Sequence, residues 1–236
     1  MKAPYGLNIL GTCLNCDRRQ PESFCNVSPD LLRSLSALAH HSAYPSRAVL
    51  FVEGQIPRGV YLLCQGEVKL FTTSPEGKTL IIRRAGPGGV LGLSAVLTGV
   101  EYELTAETTA PSQLNFIRRD PLLGWLQQHS EAALRAALAL SREYECAYHD
   151  IRDLLLARSS VGKLAKLLLS RCPGQDPCEE AKVRSALTHE EMAQMIGASR
   201  ETVTRLMGQL KKKQFIRQEG STLVIRNRPA LEAMVA

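Results

Sequence analysis

Seven cysteines stand in the 236-residue sequence, and three of them, Cys13, Cys16 and Cys25, fall within the first 26 residues. Thiolates are soft ligands that suit iron-sulfur clusters or zinc, and a two-residue gap lets both sulfurs of a Cys-x2-Cys pair reach one metal centre. Three ligands are one short of the usual four. The same thiols also allow a thiol or disulfide switch, or no chemistry at all. Cys64, in a predicted β strand, and Cys146, in a predicted long helix, are expected to pack as small apolar side chains, with a fourth-ligand role as the alternative. Cys172 and Cys178 flank a loop and allow a local disulfide or metal pair. The five histidines, at 40, 41, 129, 149 and 189, show no arrangement typical of a metal site or a nucleophile. Adjacent His40 and His41 are expected on the surface or in a loop, and no catalytic constellation points to an enzyme.

A second constellation lies in LTHEEMAQMIGASRETVTRLMGQLKKKQFI, residues 187 to 216. Thr188 followed three positions later by Glu191 has the form of a capping box. Gly197 can take the positive φ that ends a helix, and Ser199 can cap the next one. Helical spacing gathers Glu201, Thr204 and Arg205 on one face, with Arg200 beside them at the N-terminal end. In a DNA major groove an arginine can bond guanine O6 and N7 together. A glutamate can accept from cytosine N4, and a threonine methyl can meet a thymine methyl. This is the pattern of a helix-turn-helix reading double-stranded DNA. The alternative is a helical hairpin with a solvated face, since Glu201 and Arg205 also form an i,i+4 pair.

Charge agrees with the DNA reading. The net charge is +6, and from Arg158 onward 14 Lys and Arg face 8 Asp and Glu, so the whole excess belongs to the C-terminal third. Hydrophobic residues make up 44% and charged residues 22%, a globular balance. No apolar run reaches the roughly 20 residues that span a bilayer. The N-terminus does not read as a signal peptide, so a cytoplasmic protein with reduced thiols and no membrane partner is expected.

The elements that must position these residues follow from periodicity. Residues 1–26 form a cysteine-bearing arm. Ser28-Pro29-Asp30 opens a short helix with Leu31, Leu35 and Leu38 at helical spacing. Short β-prone runs separated by Gly turns between 44 and 119 predict a small roll or barrel, giving a sensor domain over 27–129. Asp120-Pro121 starts a short helix and Ser130-Glu131 a long one, 130–157. Its Leu134, Ala137, Ser141, Tyr144, Tyr148, Ile151 and Leu155 alternate steps of three and four, the seam of a coiled coil and hence of a homodimer. A second stripe through Leu138, Leu140, Ala147 and Leu154 is expected to pack on the chain's own β domain. The DNA-binding domain spans 158–236 and ends in two strands around Glu219-Gly220, a wing on which Arg217, Arg226 and Arg228 can meet phosphates.

LFVEGQIPRGVYLLCQGEVKLF at 50–71, GPGGVLGLSAVLTG at 86–99, the long helix and IGASRETVTRLMGQLKKKQFI at 196–216 together resemble the CRP/FNR family of bacterial transcription regulators. The resemblance implies an α+β fold: a cyclic-nucleotide-binding-like β-roll, a long dimerisation helix and a C-terminal winged helix-turn-helix. It also implies a palindromic DNA site. Arg200, Glu201 and Arg205 match the base-reading positions of CRP-type helices, implying TGTGA-like halves. Glu201, Thr204 and Arg205 match those of FNR-type helices, implying TTGAT-like halves, and Arg200 leans toward the first. RNA polymerase is an implied partner. The nucleotide-binding members carry a Gly-Glu for the ribose and an Arg-Ser for the cyclic phosphate, whereas here Leu93 stands near the Glu position and Tyr102 and Glu103 near the Arg-Ser. A carboxylate where the cationic clamp should be argues against cyclic AMP.

Cys13, Cys16 and Cys25 resemble the N-terminal cluster of FNR-type oxygen sensors, which implies an iron-sulfur cluster. The family's usual fourth cysteine maps near Gln113, and Asp150 has no clear match to the aspartate ligand of other members. The expected function is therefore a dimeric DNA-binding regulator under oxygen or redox control. The alternatives are a constitutive or small-molecule-controlled regulator without a metal, and a redox-responsive metal-binding protein acting through protein partners.

Overall fold

The computed structural model describes residues 4–9, 12–14, 16–156, 159–171, 181–184, 187–220 and 222–235, with the backbone alone for 150–156 and 181–184. Cys172, Cys178 and the Asp150 side chain lie outside the described residues, and with them the loop-pair and aspartate-ligand expectations. The chain divides into two compact units, residues 1–77 with 81–147 and residues 78–80 with 148–236.

In the first unit, helix α1 (Pro29–Leu38) precedes eight strands: β1 (His40–Tyr44), β2 (Val49–Phe51), β3 (Gly59–Gln65), β4 (Val68–Thr73), β5 (Thr79–Ala85), β6 (Val90–Leu91), β7 (Thr105–Thr108) and β8 (Ser112–Arg118). They form two four-stranded sheets, ordered β1-β8-β3-β6 and β2-β7-β4-β5. Strand alternation sends Leu62 of β3 to one core and Leu63 to the other. The core between the sheets holds Leu63, Val68, Leu91 and Leu114. The core on the other face of the β1-β8-β3-β6 sheet holds Val60, Leu62 and Ile117 with α1, helix α3 (Arg119–Gln128) and the start of helix α4 (Ser130–Leu156). Trp125 of α3 donates its indole N–H to Ser34 Oγ of α1 at 2.8 Å, satisfying the one polar atom of a nearly buried ring. A short helix, α2 (Leu93–Thr98), joins β6 to β7. His40 and His41 are exposed, as expected, but on strand β1 rather than in a loop.

The long helix has two different faces. Ala132 and Ala136 are buried against the β-roll, with Ala139 and Leu140 beside them. Leu138, expected to pack there, is exposed instead. The seam residues face outward: Leu134, Tyr144 and Tyr148 are 60%, 72% and 58% exposed, and Ala137 and Ser141 are exposed as well. A row of large apolar side chains left in water along one helix face marks an interaction surface.

In the second unit, helix α5 (Ser160–Ser170) is capped by Ser159, whose Oγ accepts from Gly162 N–H. Helices α6 (His189–Ile196) and α7 (Arg200–Lys212) follow, then strands β10 (Ile216–Glu219) and β11 (Thr222–Ile225), which pair as the wing. Two further elements were not anticipated. Strand β9 (Ala181–Arg184) adds a third strand beside β11, and helix α8 (Arg228–Glu232) is capped by Asn227. One core of Leu164, Leu168, Met192, Ile196, Val203, Met207, Leu210 and Ile225 holds the helices against the wing.

Candidate thiol cavity and nucleic-acid interface

The N-terminal arm folds onto the β-roll as part of its core. Leu7, Phe24 and Val27 are buried, and the Phe24 ring lies 6.4 Å from that of Trp125. Phe24 N–H donates to Gly88 O at 3.2 Å. Gly88 is required there twice over: its φ is +89°, and a Cβ would sit 2.3 Å from Ser23 Oγ. Helix α4 holds the arm from the other side. Arg135 Nη1 donates to Pro21 O at 2.8 Å, Arg142 donates to Glu22 O, and Glu131 accepts from Ser28 N–H at 2.7 Å.

This seating brings Cys13, Cys16 and Cys25 to one cavity, and Cys64 of β3 lines the same cavity. Cys64 thus packs in the β-roll while also facing this cavity. Buried Asn115 donates to Cys13 Sγ at 3.5 Å and holds His41 Nδ1 at 2.8 Å. Burial raises the Cys13 thiol above its ordinary value, and it pushes Cys25 up to about 11 and Cys64 up to about 12. The charges of neighbouring thiolates add to each shift. Arg18 and Arg19 line the cavity too, and Nη1 of each is buried without a hydrogen-bond partner. A buried, unsatisfied guanidinium donor costs free energy, so two beside four thiols imply an acceptor of negative charge.

Among the described residues no three His, Cys, Asp or Glu side chains converge tightly enough to hold a single ion. Tetrahedral zinc with Zn–S bonds of about 2.3 Å needs its sulfurs roughly 3.8 Å apart. A polynuclear cluster takes its thiolates at its outer corners, which are more widely spaced. The donor set of four thiols and two unsatisfied cationic N–H groups fits an iron-sulfur cluster better than a lone zinc ion.

A separate cleft lies where the β-roll meets α2. Tyr102 stacks on Phe51 with ring centroids 4.0 Å apart, and its hydroxyl donates to Gly59 O at 2.6 Å. Leu93 is fully buried, and Arg83 in the same cleft is paired with Glu143 of α4 at 2.6 Å. Glu103 stands beside Ser94, at 3.5 Å from its Oγ.

In the second unit the capping box is complete: Thr188 Oγ1 accepts from Glu191 N–H at 3.1 Å, and Thr188 N–H donates to Glu191 Oε2 at 2.8 Å. Gly197 ends α6 with φ 67°, and Ser199 Oγ accepts from Thr202 N–H at 3.2 Å to start α7. Val203, Leu206, Met207 and Leu210 bury one face of α7, which leaves Arg200, Glu201, Thr204 and Arg205 exposed on the other. Thr204 turns its hydroxyl back onto Arg200 O at 2.9 Å and accepts from His189 Nδ1 at 3.0 Å, which frees its methyl for an apolar contact. Hydrogen bonds from its own backbone N–H and from Ser199 hold the Glu201 carboxyl below its ordinary range. His189 was not singled out from the sequence. Nor were Arg18 and Arg19, although a basic pair one residue after Cys-x2-Cys was a visible signal.

Two family models match the chain: a cyclic nucleotide-binding domain over residues 42–129 and a Crp-like helix-turn-helix domain over 162–234. A CRP-like cAMP-activated global transcriptional regulator of Mycobacterium tuberculosis is 26% identical over 86% of this chain and 91% of its own length. The cyclic AMP receptor protein of Thermus thermophilus is 25% identical over 89% of this chain and 94% of its own. Among solved structures, FixK2 of Bradyrhizobium japonicum superposes with a TM-score of 0.71 at 21% identity, covering 84% of this chain and 98% of that one.

Proposed function

The chain belongs to the CRP/FNR family of DNA-binding transcription regulators, and from that premise we propose that it is a homodimer that reads a palindromic site under the control of an iron-sulfur cluster in its N-terminal arm. The observation that carries the DNA half of this reading is the exposed face of α7, where Arg200, Glu201, Thr204 and Arg205 stand behind the Ser199 cap. Arg200 and Arg205 would take guanine edges, Glu201 a cytosine amino group and Thr204 a thymine methyl. Ser199 sits at the helix N-terminus, where backbone N–H groups favour a phosphate. A dimer paired through the exposed α4 seam would suit a palindrome of TGTGA-like or TTGAT-like halves spaced one helical turn apart. RNA polymerase is the natural further partner of a regulator acting on cytoplasmic DNA.

A cyclic nucleotide is poorly served. Its cleft is walled by the Phe51-Tyr102 stack, Tyr102 and Glu103 stand where the Arg-Ser pair would be, and Arg83 is committed to Glu143. The arm cavity supports the other sensor. When bound there, an iron-sulfur cluster supplies a redox-labile, oxygen-sensitive centre. Cys13, Cys16 and Cys25 would ligate it, and Arg18 and Arg19 would donate to its sulfurs and offset its negative charge. Arg135 and Arg142 link the arm's backbone to the dimer helix, so a change in the arm reaches the seam through two hydrogen bonds.

The test of the DNA reading is a titration of the full chain against duplexes carrying two TGTGA-like or TTGAT-like halves, alongside scrambled duplexes. Anaerobic and air-exposed protein are both assayed. A preference of at least about a thousand-fold at physiological salt is expected in one of the two states. Equal binding to all duplexes in both states would reject it.

A further inference from the structure

Strand β3 pairs with β8 in a register that shifts at one place. Leu63 stands opposite Leu114, but Gln65 stands opposite Gln113, so Cys64 between them is the extra residue of a β-bulge. Bulges re-aim side chains and recur beside functional sites. The bulge sits at the wall of the thiol cavity, which Cys64, Gln113 and the three arm cysteines all line. Gln113 is the position near which the resemblance puts a fourth thiol, and Cys64 stands one strand over, at the same height in the sheet. Cys146, the other described thiol, is exposed on α4 and does not line the cavity.

We propose that Cys64 is the fourth thiolate of the cluster, so that the bound group joins the N-terminal arm to the core strand β3. This rests on the cluster reading above and adds a ligand that the N-terminal motif does not contain. Four thiolates complete the coordination of a four-iron cluster without water or an oxygen ligand. The two buried Nη1 atoms, of Arg18 and Arg19, then face a fully thiolate-ligated, net-negative group. Cluster loss would remove the covalent tie between the arm and β3, leaving the packing of Leu7, Phe24 and Val27 and the hydrogen bonds from α4.

The experiment compares full-length wild type, Cys64→Ala and Cys146→Ala after anaerobic reconstitution with iron and sulfide, reading bound iron, acid-labile sulfide and the absorption spectrum. Circular dichroism of the apo proteins checks folding. Cys64→Ala is expected to lose at least about half of the bound iron, with Cys146→Ala unchanged. Wild-type iron and an unchanged spectrum in a folded Cys64→Ala would overturn the assignment. A wild type that takes up no cluster would instead overturn the reading beneath it. A second measurement leaves Cys64 in place: Mössbauer spectra of the Cys146→Ser/Cys172→Ser/Cys178→Ser protein. Four all-thiolate irons support Cys64 as the ligand, and one iron of distinct type contradicts it.

Discussion

At the scale of single residues, the proposed base-reading face of α7 and the thiol cavity make different demands. Arg200 and Arg205 are exposed on α7, so their replacement should alter DNA binding without altering the fold. Arg200→Ala and Arg205→Ala are each expected to weaken the cognate site by about 1–3 kcal/mol and to relax preference at guanine positions, with the salt dependence largely kept. Competition titrations across single-base variants of the site check this; uniform weakening across all variants would reassign both arginines to phosphate. Gly88→Ala acts on the arm instead, because the new methyl meets Ser23 at a backbone angle that alanine resists. The Gly88→Ala protein should hold markedly less iron than wild type while its DNA-binding unit melts unchanged. Wild-type iron content would show that the arm does not need this seat.

At the scale of elements, the capped pair α6 and α7 was the most legible part of the sequence. A capping box, a left-handed glycine and a second cap are local codes, set by side chains within a few residues of the backbone they satisfy. Thr188→Ala should cost about 1 kcal/mol of stability, measurable by denaturant titration. The His189 imidazole is held below its ordinary value of 6.5 by burial first, then by the charges of Lys211 and Arg200. The unfolded chain therefore takes up this proton before the folded one does. Its contribution is complete above about pH 6.5 and is lost as pH falls through the lower folded-state value. His189→Gln should flatten that part of the stability profile, and an unchanged slope between pH 5 and 7 would remove His189 from the account. The roll itself was legible as many short strands between glycine turns, but its register was not. The bulge that turns on Cys64 depends on how β3 meets β8 across some fifty residues of chain, and no local pattern encodes that pairing. For the same reason β9, four residues that gain their partners only from β11, went unread. Along α4, period alone could not decide which stripe faces the roll, and Leu138 fell on the solvent side.

At the scale of the whole molecule, the proposed function requires that two sites communicate: an arm proposed to hold a redox-labile group and a helix proposed to read DNA. The chain's uneven charge, neutral through residue 157 and +6 beyond it, suits a C-terminal part that docks on a polyanion and a neutral part that does not. In the proposed dimer, the exposed seam of Leu134, Tyr144 and Tyr148 would supply the contact that a palindrome needs. Tyr144→Glu should shift sedimentation toward the monomer and weaken palindrome binding far more than half-site binding. A dimer unaffected by the charge would move the interface elsewhere. The most direct test of the central claim measures iron content and affinity for the palindrome on one anaerobic preparation, before and after air exposure. The account predicts that cluster loss and a change in affinity of at least about five-fold occur together, the lower end of an ordinary coupling free energy. An affinity that stays constant while the iron is lost would contradict it.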